Sequence, residues 1–209
     1  MEKKPLGYYD YTVILTYCAM LFGFSGVMLS IEGRFWKAIV CLMIAGGCDM
    51  FDGLVASTKD RTRSEKRFGI QIDSMSDLVN FGIMPAVFLY MICNRTRVIA
   101  IISSLYALCA LIRLSYFNVL EEERQDVETE ARRAFLGVPV TTIALMLPLI
   151  YLLFDMGIFK NILSYPMIFI LMGVAYLSPI EIKKPGMSGK IAILVIGLCE
   201  VFGLIMFKG

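Results

Sequence analysis

Four aspartates stand where an apolar chain carries charge only at a cost: Asp49 and Asp52, then Asp73 and Asp77, each pair inside a run rich in apolar residues. A carboxylate at mid-helix in a membrane costs about 2.5–3.5 kcal/mol on insertion scales, so four unpaired ones would cost on the order of 10 kcal/mol. Something must offset that. Spacings of three and four residues put each pair on one helical face. Asp52 lies about five residues before one apolar run ends, and Asp73 about five after the next begins, so both pairs sit at one depth. Facing carboxylates at one level repel each other unless cations stand between them. Hard divalent ions such as Mg²⁺ or Mn²⁺ take oxygen ligands, and four carboxylates suit a two-metal site.

The neighbouring residues allow two readings each. Gly46, Gly47, Gly53 and Ala56 keep their helix narrow, which admits either close helix packing or a bulky ligand. Gly69 opens the next helix, whose free N–H groups and positive dipole end suit a phosphate. The link before it adds Lys59, Arg61, Arg63, Lys66 and Arg67, either as phosphate partners or as charge that sets topology. Asn80 extends the stripe of Asp73 and Asp77 toward the bilayer centre. Arg113 is a lone cation in a further apolar run, where it either pairs with a carboxylate or binds an anionic substrate group.

The elements that must position these residues follow from hydropathy. With 58% hydrophobic and 18% charged residues and a mean hydropathy of +0.72, the chain of 209 residues reads as an integral membrane protein. No histidine is present, which excludes a Ser-His-Asp triad, His-ligated zinc and imidazole acid–base chemistry. Apolar runs at 12–31, 35–57, 68–92, 97–118, 137–154, 160–178 and 190–207 predict an all-α fold in one compact unit. A Lys183–Gly186 break sets the last run apart, so the expectation is a six-helix transmembrane core over 1–185 plus a seventh, C-terminal helix over 186–209.

An inner N-terminus would place thirteen Lys and Arg residues inside, among them Lys3, Lys4, Arg132, Arg133 and Lys184, and six outside. The cation rule therefore predicts a cytoplasmic N-terminus, with the aspartates toward the cytoplasmic side of the cell membrane. The acidic link 119–135, with Glu128 and Glu130, reads as a solvated connector. The six cysteines read as small buried hydrophobes, and no removable signal peptide is expected.

The run Asp49-Met-Phe-Asp52-Gly53-Leu-Val-Ala56, followed by Gly69-Ile-Gln-Ile-Asp73-Ser-Met-Ser-Asp77, resembles the signature D-x2-D-G-x2-A-R-x8-G-x3-D-x3-D of the CDP-alcohol phosphatidyltransferase family. Seven of its eight fixed positions match; Ser57 replaces the arginine, and eleven residues rather than eight separate it from Gly69. Arg113-Leu-Ser-Tyr-Phe-Asn118 resembles the R-L-A-R-F-N run of the phosphatidylserine synthase branch, with Tyr116 at a usually basic position. Phe135-Leu-Gly137-Val-Pro139 is similar to its F-x-G-x-P segment. Thr16 and Gly23 resemble a looser T-x6-G pattern near the nucleotide. The likeness spans about residues 10–185.

The resemblance implies transfer of a phosphatidyl or archaetidyl group from a CDP-activated lipid to the hydroxyl of L-serine, with release of CMP. It implies Mg²⁺ or Mn²⁺, two ions, held by Asp49, Asp52, Asp73 and Asp77, with Asp77 also taking the hydroxyl proton. Thr16, Asp52, Gly53, Ala56, Arg61, Gly69 and Asp73 would bind the CDP-lipid, and Arg113 and Asn118 the serine. A homodimer in the bilayer is implied, with no nucleic-acid partner. A sister enzyme using inositol phosphate or glycerol phosphate is the alternative, although a phosphorylated acceptor calls for more cations than Arg113 alone. A cation channel or transporter would place acidic or broken-helix features near the midplane, open to both sides.

Overall fold

The computed structural model describes residues 7–127, 134–183 and 186–208. Lys3, Lys4, Glu128, Glu130, Arg132, Arg133 and Lys184, which entered the readings above, lie outside them.

Helices dominate, as their apolar runs require. A 3₁₀ turn, Tyr11–Val13, leads into α1 (Ile14–Ile31), and a tight turn at Gly33 (φ +73°) reverses the chain into α2 (Phe35–Ala56). The third helix starts at Arg63 rather than 68, because Thr62 and Glu65 form a reciprocal capping box that satisfies the first free N–H groups. It runs as α3 (Arg63–Asp77), widens into a π-helical turn (Leu78–Ile83), and continues as α4 (Met84–Ile92). Then come α5 (Arg97–Val127), a 3₁₀ turn (Val140–Thr142), α6 (Ile143–Asp155), α7 (Ser164–Leu177) and α8 (Met187–Lys208).

The π turn has an identifiable cause. Pro85 has no N–H, so the carbonyl of Phe81 loses the donor four residues ahead. The Tyr106 hydroxyl on α5 supplies the bond instead, donating to Phe81 O at 2.7 Å, and lies 3.1 Å from the Tyr176 hydroxyl.

Two features depart from the expected connectors. The acidic stretch after 118 continues α5 to Val127 and stays tied to α3, with Gln71 Nε2 donating to Glu122 Oε1 at 3.1 Å. Beyond it, β1 (Ala134–Leu136) pairs antiparallel with β2 (Glu181–Lys183), a short ribbon on the otherwise helical fold. Gly137 (φ +73°) closes this ribbon: a Cβ there would fall 2.9 Å from Tyr176 O and 3.1 Å from Ser178 O.

Tyr11–Ile31, Phe35–Ala56, Arg63–Ile92 and Arg97–Glu123 are long and apolar enough to cross a membrane; Val140–Asp155, Ser164–Leu177 and Ile191–Met206 are apolar but shorter. Leu42, Phe81, Phe88, Leu147, Tyr165 and Phe169 form the packed centre, while Leu21, Val98, Leu171 and Phe202 face outward. An apolar interior under an apolar surface is the pattern of a multi-pass membrane protein. The six cysteines are free, but only Cys93 is buried and Cys199 is exposed, which corrects the expectation that all are buried.

Candidate active site

Antiparallel α2 and α3 bring the aspartates together. Asp49, Asp52 and Asp73 each offer an oxygen within 4.8 Å of the others, enough to hold a metal ion. Asp73 also lies within hydrogen-bonding reach of Asp52, and Asp77 within reach of Asp49. Two carboxylates at that range share a proton or a cation, since their bare charges repel. Hard oxygen donors on rigid helices, partly open to one cleft, fit a divalent ion such as Mg²⁺ or Mn²⁺. Asp77 stands one step from the triad, beside the π turn, a distortion frequent at functional sites.

A cleft of about 140 Å³ opens beside the triad. Thr16, Asp52, Gly53, Ala56, Arg61, Gly69 and Asp73, all seven residues expected around the CDP-lipid, line it. Thr16 is buried and donates its hydroxyl to Asp52 Oδ2 at 3.3 Å. The glycines separate into two kinds. A Cβ on Gly46 would fall 2.9 Å from that of Ala144, so Gly46 serves helix packing; among the described residues nothing lies within 4 Å of a Cβ built on Gly47 or Gly53. A Cβ on Gly69 would lie 3.0 Å from Arg61 Nη1, so the missing side chain lets the guanidinium lie over the start of α3.

Thr12, Val13, Lys66 and Ile70 complete the lining. Sequence reasoning missed Thr12, Val13 and Ile70; for Thr12 the local sign was Asp10 two residues before it, a capping arrangement. A larger open groove of about 280 Å³ between α4 and α5, walled by Ala86, Tyr90, Ala100 and Ser104 among others, has no charged residue in its lining. The carboxylates mark the smaller cleft as the site.

Arg113 and Asn118 do not line the cleft; both reach α3 from α5. Arg113 is buried, lies over the Phe117 ring at 4.5 Å, has no partner for Nε among the described residues, and lies within electrostatic reach of Asp77. Asn118 accepts from Ser74, the neighbour of Asp73. The carboxylates thus have an anion-suited cleft beside Asp52 and Asp73 and a buried cation within reach of Asp77.

A sequence model of CDP-alcohol phosphatidyltransferases matches residues 12–178, which hold all of these groups. The chain belongs to the CDP-alcohol phosphatidyltransferase family. Among curated relatives of this family, it is 30% identical over 184 residues to archaetidylserine synthase of Methanothermobacter thermautotrophicus, covering 88% of the chain and 73% of the relative. It is 31% identical over 200 residues to the CDP-diacylglycerol–serine O-phosphatidyltransferase of Methanocaldococcus jannaschii, covering 94% and 84%. The same activity names the Saccharomyces cerevisiae relative, 33% identical over 166 residues, covering 70% of the chain and 56% of the relative. Membership of the CDP-alcohol phosphatidyltransferase family makes this chain a membrane-embedded transferase of phospholipid synthesis.

Proposed function

We propose that the protein transfers a phosphatidyl or archaetidyl group from a CDP-activated lipid to the hydroxyl of L-serine. The new bond joins the serine oxygen to the lipid-bearing phosphorus, the bond to the CMP oxygen breaks, and the hydroxyl proton leaves the serine. The observation that carries the choice of serine is Arg113: a buried guanidinium whose Nε has no partner among the described residues, within electrostatic reach of Asp77, matches one carboxylate. The naming of the relatives after serine or archaetidylserine supports the same reading.

In this reading Thr16, Gly53, Ala56, Arg61 and Gly69 receive the nucleotide diphosphate beside Asp52 and Asp73. Gly53, with nothing near it, lets the nucleotide approach backbone. Asp49, Asp52, Asp73 and Asp77 would hold two divalent ions, Mg²⁺ or Mn²⁺. Bound there, such ions neutralise charge on the diphosphate and polarise the attacking hydroxyl. Asp77 accepts the hydroxyl proton. A carboxylate is a far weaker base than the alkoxide it must generate, so proton transfer accompanies P–O bond formation. Asn118, held by Ser74, orients the serine beside Arg113.

The N-terminus and the site lie on the cytoplasmic side of the cell membrane, as the distribution of Lys and Arg supports, and the protein works as a homodimer. Residues 1–185 form the catalytic unit. Helix α8 is an addition beyond the matched region, seated on α6 through Gly203, where a Cβ would meet Leu152 at 3.1 Å.

The test is CMP release by purified protein from CDP-lipid, offered serine, glycerol phosphate or inositol phosphate, with and without chelator. Release with serine that chelation stops and Mg²⁺ or Mn²⁺ restores is expected. Release only with a phosphorylated alcohol would assign the protein to a sister activity.

A further inference from the structure

The link 57–62 between α2 and α3 is polar and largely exposed, with no apolar core of its own to fix its shape. Yet Arg61, in its middle, has a buried Nε and turns its guanidinium into the cleft. What holds it there is a continuous chain of polar contacts. Lys59 Nζ lies 2.6 Å from Asp10 Oδ2 and 3.3 Å from Glu65 Oε1. The other oxygen of Asp10 accepts from the Thr12 backbone N–H at 2.8 Å and from the Thr12 hydroxyl, and Thr12 is itself a wall of the cleft. Glu65 accepts from Thr62 N at 2.7 Å and from Thr62 Oγ1 at 2.9 Å.

The path Thr12–Asp10–Lys59–Glu65–Thr62 therefore runs from one wall of the cleft to the start of the opposite helix. Arg61 stands between two of its anchors, Lys59 and Thr62. Two further contacts tie the N-terminal segment to the link and to α3: Tyr11 Oη lies 3.1 Å from Thr58 Oγ1, and the Tyr8 and Phe68 rings meet at a tilt, their centroids 5.3 Å apart. Three of the five cations considered from the sequence now differ in their roles, and a fourth, Lys66, also lines the cleft. Lys59 is neutralised by two carboxylates, Arg63 opens α3, and Arg61 faces the cleft.

We propose that Asp10 and Lys59 are positioning residues: their ion pair straps the N-terminal segment 7–13 to the link 57–62 and so holds Arg61 against the diphosphate of the CDP-lipid. This rests on the reading of the cleft as the nucleotide site. Arg61 thereby supplies the positive charge that the family signature places four residues earlier, where this chain has Ser57. Ordering a flexible arginine before the ligand arrives lowers the entropic cost of binding. Because Asp10 and Lys59 are 21% and 32% exposed, the effect is modest. Loss of the pair corresponds to about a two- to fivefold change in affinity.

Steady-state kinetics of the full chain in proteoliposomes tests this. Asp10→Asn and Lys59→Met should each raise the KM for CDP-lipid about two- to fivefold, with kcat and the serine KM unchanged, and Lys59→Arg should restore it. Arg61→Met should raise the same KM by at least about tenfold, and adding Asp10→Asn to it should change nothing more. An unchanged CDP-lipid KM in Asp10→Asn and Lys59→Met, a loss in thermal stability without a KM change, or additive effects of Asp10→Asn and Arg61→Met would overturn the strap while leaving the cleft assignment intact. An unchanged KM in Arg61→Met would overturn the cleft assignment itself.

Discussion

Gly23 on α1 faces Asn80 in the π turn so closely that a Cβ on the glycine would overlap the carboxamide and come 3.1 Å from the asparagine Cα. Asn80 is fully buried and donates to Ser76 Oγ at 3.1 Å, while Ser76 donates to Thr16 O at 3.2 Å. This contact fixes α1, and with it Thr16, against the helix that carries Asp73 and Asp77. Gly23→Ala should therefore lower stability by about 1–3 kcal/mol and reduce turnover. Gly47→Ala, in open space on α2, should leave stability equal or higher, because alanine is the better helix former. Thermal unfolding in detergent, with CMP release on the same samples, compares the two.

Asp77 lies within reach of Asp49 and next to the π turn. Asp77→Asn keeps the shape and a hydrogen-bonding carboxamide but removes the base. CMP release should fall by at least about a hundredfold while the melting temperature is kept. Full activity in this variant would remove Asp77 from the role of proton acceptor.

Arg113 stacks on Phe117 with a planar guanidinium, which lysine cannot reproduce. Arg113→Lys should raise the serine KM about tenfold or more and leave the CDP-lipid KM within about twofold. Competition by serine analogues that lack the carboxylate should be equal in variant and wild type, each binding weakly. A serine KM that does not move would place the carboxylate elsewhere.

The Tyr106 hydroxyl takes over a carbonyl that Pro85 leaves without a donor. Tyr106→Phe buries that carbonyl unsatisfied and should cost about 1–3 kcal/mol. Tyr176→Phe should cost less, since Phe81 O keeps its bond from Tyr106. Equal losses in the two variants, measured by thermal unfolding, would argue against this account of the π turn.

The strap has a defined pH range. Its hydrogen bond from Lys59, then that from Thr12, holds Asp10 down from the ordinary 3.8 to about 2. A carboxylate depressed in the folded state stabilises fully above its unfolded value and loses that contribution as pH falls through the folded one. Lys59 is raised above 10.5, chiefly by the bond to Asp10 and next by that to Glu65, so its contribution is complete below that value and lost at higher pH. The strap should hold in full from about pH 4 to pH 10, weaken below pH 4 and open as pH falls through about 2. Limited pepsin digestion should spare residues 7–13 near pH 4 and cut there near pH 2, whereas Asp10→Asn should be cut at both.

The aspartates were legible because carboxylates in apolar runs have few explanations, and because spacings of three and four residues fix a helical face without knowledge of the neighbours. The glycines were legible only as a pair of alternatives; Ala144 decided Gly46 and empty space decided Gly53, and both decisions depend on distant chain. The π turn left a trace in Pro85, but whether a helix kinks or widens there depends on Tyr106, twenty-one residues away. The acidic stretch after Asn118 resembled a loop by composition, yet helix propensity and the Gln71–Glu122 pair keep it helical. Asp10 carried no signal at all toward Lys59, because the pairing is 49 residues apart and purely tertiary.

The short helices α6 and α7 have a consequence for the surrounding lipid. With 13 and 14 residues, each spans about 20 Å against a hydrocarbon thickness of about 30 Å. The longer helices match or exceed that thickness, and α8, of 22 residues, packs against α6. Hydrophobic mismatch therefore falls on α6 and α7, where the annulus must thin or headgroups must dip to meet the helix ends, each at fractions of a kcal/mol per Å. The energy of the protein in a bilayer therefore depends on lipid chain length: thicker membranes strain α6 and α7 first.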